Sequence, residues 1–300
     1  MAKPDIELTH PDRVYFPDAG VTKRDYRDYL VGVADWILPH VRRRPLSLVR
    51  CPDDIEAGCF FQKHHAEGMP AGFKSVDIAE KSGETAPYIY IEDEAGLASC
   101  AQFGALELHP WGSRIDDLEH PERLIFDLDP GEGFDFADLK DAAREIRALL
   151  EEAGLNPFVM LTGGKGIHVI APIRAGASWD DARDFARGLA KGLEANDPDR
   201  YVAEASKEKR KARIFVDWLR NQRGQTSIAP YALRARPGAP AATPIRWDEL
   251  SKARSGHDYD IHSLPRRLAR IKEDPWKDYF QSAAALSPNA VKQAREQGGD

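Results

Sequence analysis

The segment Leu124–Ile125–Phe126–Asp127–Leu128–Asp129 puts two carboxylates two residues apart at the end of an apolar run, closed by Pro130–Gly131. Side chains alternate along an extended strand, so both acids project from one face of a sheet. The pattern that follows narrows the fold. A helix is predicted over 135–153 with Gly154 as its stop. Next come a strand at Phe158–Leu161, a turn at Thr162–Gly163–Gly164–Lys165–Gly166 and a strand at Ile167–Ala171. A second helix over about 178–194 leads to a strand at Arg213–Asp217. Strand, helix, hairpin, helix, strand is an α+β unit built on one sheet.

Like charges as close as Asp127 and Asp129 raise each other's pKa unless a cation stands between them. Hard oxygen ligands suit Mg²⁺ or Mn²⁺. Asp217 ends the strand Ile214–Phe215–Val216–Asp217 and offers a third carboxylate, enough for two ions in phosphoryl chemistry. The glycine turn is not a Walker A loop, because Gly166–Ile167 follows Lys165 and opens a strand rather than a helix. Such a turn still presents backbone N–H groups closely, with Lys165 as a point charge, Thr162 as a hydroxyl and His168 on the next strand. Arg220, Arg223, Arg234 and Arg236 follow Asp217 within twenty residues, and guanidinium forks suit phosphate oxygens. The paired Phe60 and Phe61 read on their own as core, or as a platform for stacked bases.

The formal net charge of −7, from 42 basic and 49 acidic residues, speaks in bulk against nucleic acid. The charge is polarised, however: residues 115–160 hold 13 acidic and 4 basic residues, and residues 204–236 hold 9 basic and 3 acidic. An acidic centre beside a basic flank, densest at Lys207–Arg213, is what metal-holding carboxylates next to phosphate-holding cations produce. No apolar run approaches a membrane span and no signal-peptide pattern opens the chain. Three cysteines, Cys51, Cys59 and Cys100, cannot all pair and read as buried thiols in a reducing cytoplasm. A zinc site from Cys51, Cys59, His64 and His65 is disfavoured by the seven residues between the cysteines. In the N-terminal third a helix over 23–41 with Thr22 as N-cap is predicted, with strands at 46–50 and 88–91. Residues 236–244, rich in Pro, Gly and Ala, read as a surface connection.

Taken in order, these motifs closely resemble the polymerase domain of bacterial ATP-dependent DNA ligase D, a primase-polymerase of the archaeo-eukaryotic primase superfamily. The resemblance runs from Leu8 to about Trp276. It is carried by Phe126–Asp127–Leu128–Asp129–Pro130–Gly131, Thr162–His168, Phe215–Val216–Asp217–Trp218, Ala229–Arg236, Leu106–Glu107–Leu108–His109–Pro110–Trp111 and Phe60–His64. It implies a primase-like catalytic core with an RRM-like sheet, packed against an N-terminal α/β module. The modules would span about 1–114 and 115–276, with 277–300 a tail or linker. It implies a template-dependent nucleotidyltransferase that prefers ribonucleotides and fills short gaps in non-homologous end joining with Ku and a DNA ligase, in the cytoplasm at the nucleoid.

Asp127, Asp129 and Asp217 would hold two Mg²⁺ or Mn²⁺ ions. Thr162, Lys165, His168, Arg234, His109 and Arg220 would bind the NTP or dNTP, Arg220 where relatives often carry another polar residue. Arg13 and Lys23 would meet a DNA 5′-phosphate, with His10 and Arg13 where Asn and Lys are commoner. Phe60, Phe61 and Lys63 would contact template. Two other readings weaken on the same residues. A haloacid-dehalogenase-like phosphatase has Thr or Val where Gly131 stands, and a non-catalytic nucleic-acid-binding or regulatory primase-like subunit has no use for three aspartates together.

Overall fold

The protein is described from a computed structural model covering residues 6–80, 82–206 and 208–298; Lys207, first in the basic run, lies outside the described residues. In chain order the first elements are β1 (Val14–Phe16), β2 (Val21–Thr22), α1 (Lys23–Gly32), α2 (Ala34–Val41), β3 (Leu46–Arg50), β4 (Phe60–Gln62) and β5 (Lys74–Ala79). These are followed by β6 (Thr85–Tyr90), α3 (Glu94–Phe103), β7 (Ala105–Pro110), β8 (Arg123–Asp129), α4 (Phe136–Glu152), β9 (Phe158–Leu161) and β10 (Ile167–Pro172). The last are α5 (Trp179–Asn196), β11 (Tyr201–Val202), β12 (Ile214–Asp217), β13 (Thr243–Ile245), α6 (Trp247–Leu250), α7 (Ser263–Leu268) and α8 (Pro288–Gln297).

The chain divides into two compact units. One comprises Met1–Asp116, Thr226–Thr243 and Tyr259–Asp274; the other comprises Asp117–Gln225, Pro244–Asp258 and Pro275–Asp300. In the first, β4, β3 and β7 form an antiparallel sheet over a core that includes Tyr26, Leu30, Leu46, Leu48 and Leu108. Thr22 caps α1 as predicted: its hydroxyl accepts from Asp25 N, and the Asp25 carboxylate accepts from Thr22 N. The predicted single helix breaks after Gly32, where Val33 leaves helical geometry at φ −105, ψ 12, and Pro39 inside α2 withholds a backbone donor.

The second unit is the predicted βαββαβ core. Its sheet runs β11-β12-β8-β10-β9-β13, so the four motif strands β8, β9, β10 and β12 stand in the order fourth, first, third, second. Three antiparallel pairings join them, with α4 and α5 packed against the same strands. Asp135 and Ser178 cap the two helices through reciprocal bonds with Asp138 and Asp181. Gly154 follows α4 at φ +77. Leu124, Phe126 and Leu128 are fully buried on one face of β8, leaving Asp127 and Asp129 on the other.

Two expectations need correction. Cys51 and Cys59 are not thiols but a disulfide, with Cα atoms 4.4 Å apart. The β3–β4 register pairs Arg50 with Phe60, so the next facing pair is residues 51 and 59, at the close spacing of a non-hydrogen-bonded antiparallel pair. The bond takes both cysteines out of the zinc reading and removes the cysteine argument about compartment; Cys100 is the buried thiol expected.

Residues 236–244 are a surface connection only at Arg236–Gly238. Ala239, Ala241 and Ala242 are fully buried, because the chain doubles back through a Leu233–Ala241 bridge and pairs again with Tyr259 and Ile261. The segment 277–300 reads in sequence as a tail or linker; its described residues, 277–298, carry α8. They belong to the second unit, where α8 packs on α5 so tightly that a Cβ on Gly188 would lie 2.9 Å from the Ala294 side chain.

Candidate active site

Strand register assembles the acids. Asp217 on β12 faces Asp127 on β8, and Asp127 faces His168 on β10. Directly opposed residues share a face, so Asp217, Asp127 and His168 form a row, with Asp129 one step further along it. His168 Nε2 lies 3.2 Å from Asp127 Oδ1. Arg220 Nη2 lies 2.8 Å from Asp217 Oδ2 and 3.9 Å from Asp127 Oδ2. Arg210 Nη2 lies 3.1 Å from Asp129 Oδ2, its guanidinium 4.1 Å from the centre of the Phe215 ring.

Charge is under strain here. Burial, reinforced by Asp127, pushes the Asp129 carboxyl up to about 6, against the opposing pull of Arg210 and His168. Burial likewise raises Asp217, with Arg220 pulling the other way.

The glycine turn abuts these acids. A Cβ on Gly166 would lie 2.6 Å from Leu128 O, 3.3 Å from Asp129 Oδ1 and 3.4 Å from Asp127 Oδ1, so only glycine lets the turn approach so closely. Thr162 is buried and bridges the turn: its hydroxyl donates to Gly166 O at 3.0 Å and accepts from Gly164 N at 3.3 Å. Lys165 is the exposed residue of the turn.

Further candidates fall in the first unit. Glu107, on β7, is a buried carboxylate shared by two predicted nucleotide-binding residues. His109 Nε2 lies 2.7 Å from its Oε2, and Arg234 Nε lies 3.1 Å from its Oε1, which also accepts from Ala235 N at 2.8 Å. Burial works against the Glu107 charge, but His109, Arg234 and the Ala235 amide outweigh it and hold the carboxyl down at about 2. Phe60 and Phe61 are not core; they are 48% and 71% exposed on β4, and Phe61 meets His109 edge-on at 5.9 Å. Lys63 is tied to Glu80 at 2.7 Å. Arg13 and Lys23 are adjacent through Lys23 N donating to Arg13 O; Arg13 also pairs with Asp53. In the second unit, Arg223 pairs with Glu119.

Two residues here carried no role in the sequence. Arg210 was one charge in a basic run, and only the fold brings it to Asp129. Glu107 stands in a strand whose every residue is buried, and an acid in such a strand is itself a signal of built-in partners.

Among the described residues no three His, Cys, Asp or Glu side chains stand arranged to hold an ion directly. The donor set nonetheless fits a hard divalent cation. Three carboxylates share one face, two have raised pKa values, and guanidinium groups supply the positive charge they require. No helix among the described residues is long and apolar enough to cross a membrane.

Residues 22–276 match the family described as LigD, primase-polymerase domain. The chain is 35% identical over 283 residues to the multifunctional non-homologous end joining protein LigD of Pseudomonas aeruginosa, covering 94% of this chain and 34% of that protein. It is 38% identical over 253 residues to the LigD protein of Mycobacterium tuberculosis, covering 82% of this chain and 33% of the relative. The chain thus spans about a third of the length of these relatives. Among solved structures it is similar to the polymerase domain of Mycobacterium tuberculosis ligase D in complex with DNA. That match has a TM-score of 0.85 and 33% identity, over 93% of this chain and 99% of that one.

Proposed function

The chain belongs to the LigD primase-polymerase family, and from that premise we propose that it is a template-dependent nucleotidyltransferase that fills short gaps in DNA end joining and prefers ribonucleotides. The observation that carries this reading is the row Asp217–Asp127–His168, with Asp129 beside it and the turn of Lys165 seated against the same carboxylates.

Asp127, Asp129 and Asp217 are the groups to hold divalent metal. Bound there, a pair of Mg²⁺ or Mn²⁺ ions supplies activation of a primer 3′-hydroxyl and neutralisation of the leaving pyrophosphate. The chain's own part is orientation and electrostatics. Lys165 projects its cation from a turn buried on every other residue, and the backbone around it is fixed by the Thr162 bridge. His168 holds Asp127 from one side and Arg220 engages Asp217 from the other, so the acids keep their spacing. Arg220, beside Asp217 and Asp127, is placed within reach of a triphosphate that would be held over these carboxylates. Nucleotide-binding roles for Thr162, His109 and Arg234 follow the family resemblance, as do 5′-phosphate binding by Arg13 and Lys23 and base stacking by the exposed Phe60 and Phe61.

Both compact units together are proposed as the primase-polymerase domain. Strand sealing requires a DNA ligase domain or protein, and Ku is the proposed end-binding partner, all acting in the cytoplasm at the nucleoid.

The test is extension of a primer across a short gap with a downstream 5′-phosphate, supplied with Mn²⁺ and labelled NTPs. The wild type extends and the Asp127→Ala/Asp129→Ala variant does not. A wild type inert with both Mn²⁺ and Mg²⁺ overturns the reading, and equal extension by the double variant overturns the site.

A further inference from the structure

The turn that carries Lys165 has three glycines in five residues, and such a sequence holds no fixed shape by itself. Beyond the internal Thr162 bridge, its shape is set from outside. Gly163 N donates to Gly256 O at 2.8 Å. His257 Nδ1 lies 3.0 Å from Gly164 O; a carbonyl only accepts, so Nδ1 carries the hydrogen in this contact. Gly256 admits no side chain. A Cβ there would lie 2.6 Å from Gly166 O, 2.7 Å from Gly164 O and 3.0 Å from the Lys165 carbonyl carbon, all of them backbone atoms.

The clamp is itself braced. Asp258 accepts from Arg254 N at 2.7 Å and from the Ser255 hydroxyl at 2.8 Å. The Ser255 hydroxyl in turn accepts from His257 N at 3.3 Å. Lys140 on α4 donates to Ala253 O at 3.2 Å, which ties the segment to the core helix. Ninety residues downstream of the turn, the chain returns to grip it on the carbonyl side of Gly164.

We propose that Gly256 and His257 are positioning residues for the nucleoside triphosphate, fixing the glycine turn so that Lys165 meets phosphate in one preset geometry. The inference rests on the nucleotidyltransferase reading. It assigns the 254–258 segment a role in nucleotide affinity and leaves the carboxylates to their own supports. A flexible turn would have to be ordered by each incoming nucleotide, and that ordering cost appears as weaker binding.

Titrating a non-hydrolysable ATP analogue with Mn²⁺ into the full chain tests this, with Mn²⁺ alone titrated in parallel. His257→Ala weakens analogue binding about fivefold to tenfold, the loss of one part-buried hydrogen bond. His257→Asn, whose Nδ2 can donate from nearly the position of Nδ1, restores it to within about twofold. Gly256→Ala, which forces the two backbone segments apart, weakens it by at least about tenfold. Mn²⁺ affinity without nucleotide stays at the wild-type value in the His257 variants. In the extension assay His257→Ala and Gly256→Ala raise KM for NTP with little change in kcat, and His257→Asn does not. Unchanged analogue affinity in His257→Ala overturns the inference while a wild type that still extends primers leaves the polymerase reading intact. Equal losses of Mn²⁺ and analogue binding, or no rescue by His257→Asn, also overturn it by showing general disruption. A wild type that neither binds the analogue nor extends primers refutes both.

Discussion

Glu107 offers a sharp test, because its surroundings convert to a magnitude. Its side chain is 7% exposed and lies between His109 and Arg234, themselves 11% and 19% exposed. Those partners hold its carboxyl at about 2 against an ordinary 4.5. A pKa displaced by one corresponds to about 1.4 kcal/mol, so ionised Glu107 contributes about 3 kcal/mol of native stability at neutral pH. That agrees with the roughly 3–5 kcal/mol lost when one partner of a buried ion pair is removed.

Glu107→Gln keeps the shape and retains an oxygen for Arg234 and Ala235 N, so it removes mainly the charge. The expected result at pH 7 is a loss of about 3 kcal/mol in chemical denaturation of the transition that includes the first unit. The sign of the pH dependence follows from a depressed carboxylate: the contribution is complete above the unfolded value and fades as pH falls towards the folded one. By pH 3.5 the gap between wild type and variant should therefore narrow by about 1.4 kcal/mol. Equal stability at pH 7, or a deficit that stays constant down to pH 3.5, refutes the charge-pair reasoning.

Asp129 should behave in the opposite sense. Its folded value, about 6, lies above the unfolded one, so its penalty grows as pH rises from about 4 to 6. Its side chain is 40% exposed, so screening keeps the effect to about 1 kcal/mol or less. Asp129→Asn accordingly raises the Tm of metal-free protein at pH 7 and leaves it unchanged at pH 4, as read by calorimetry. Arg220→Gln removes a cation from Asp217 and Asp127. Mn²⁺ binding to the nucleotide-free protein should tighten several-fold, for roughly 1 kcal/mol, and unchanged or weaker binding by titration calorimetry contradicts the competition.

Much of the second unit was legible in sequence because its signals are local. Asp135, Ser178 and Gly154 mark helix ends by their own chemistry, and the alternation of Phe126, Asp127, Leu128 and Asp129 fixes which side chains share a face. The same alternation made Asp217 interpretable once β12 was recognised as a strand. What escaped depends on register and on returns of the chain. Cys51 and Cys59 bond because Arg50 pairs with Phe60, a fact about two strands and not about cysteine spacing. Ala239–Ala242 look like linker by composition but are buried by a doubling-back at Leu233. Gly256 and His257 belong to no motif of their own, and their place beside Gly164 arises only when residues 244–258 return to the sheet. Phe60 and Phe61 are apolar by type, and only the fold shows that a short strand leaves both exposed.

The central claim is that Asp127, Asp129 and Asp217 form one divalent-metal centre for nucleotidyl transfer. An anomalous difference map at the manganese edge tests it most directly, from crystals grown with Mn²⁺, a non-hydrolysable NTP and gapped DNA. The account predicts manganese bounded by these three carboxylates, with Arg220 withdrawn from Asp217 towards the triphosphate. Nucleotide bound with manganese elsewhere, and Arg220 still paired to Asp217, would contradict it.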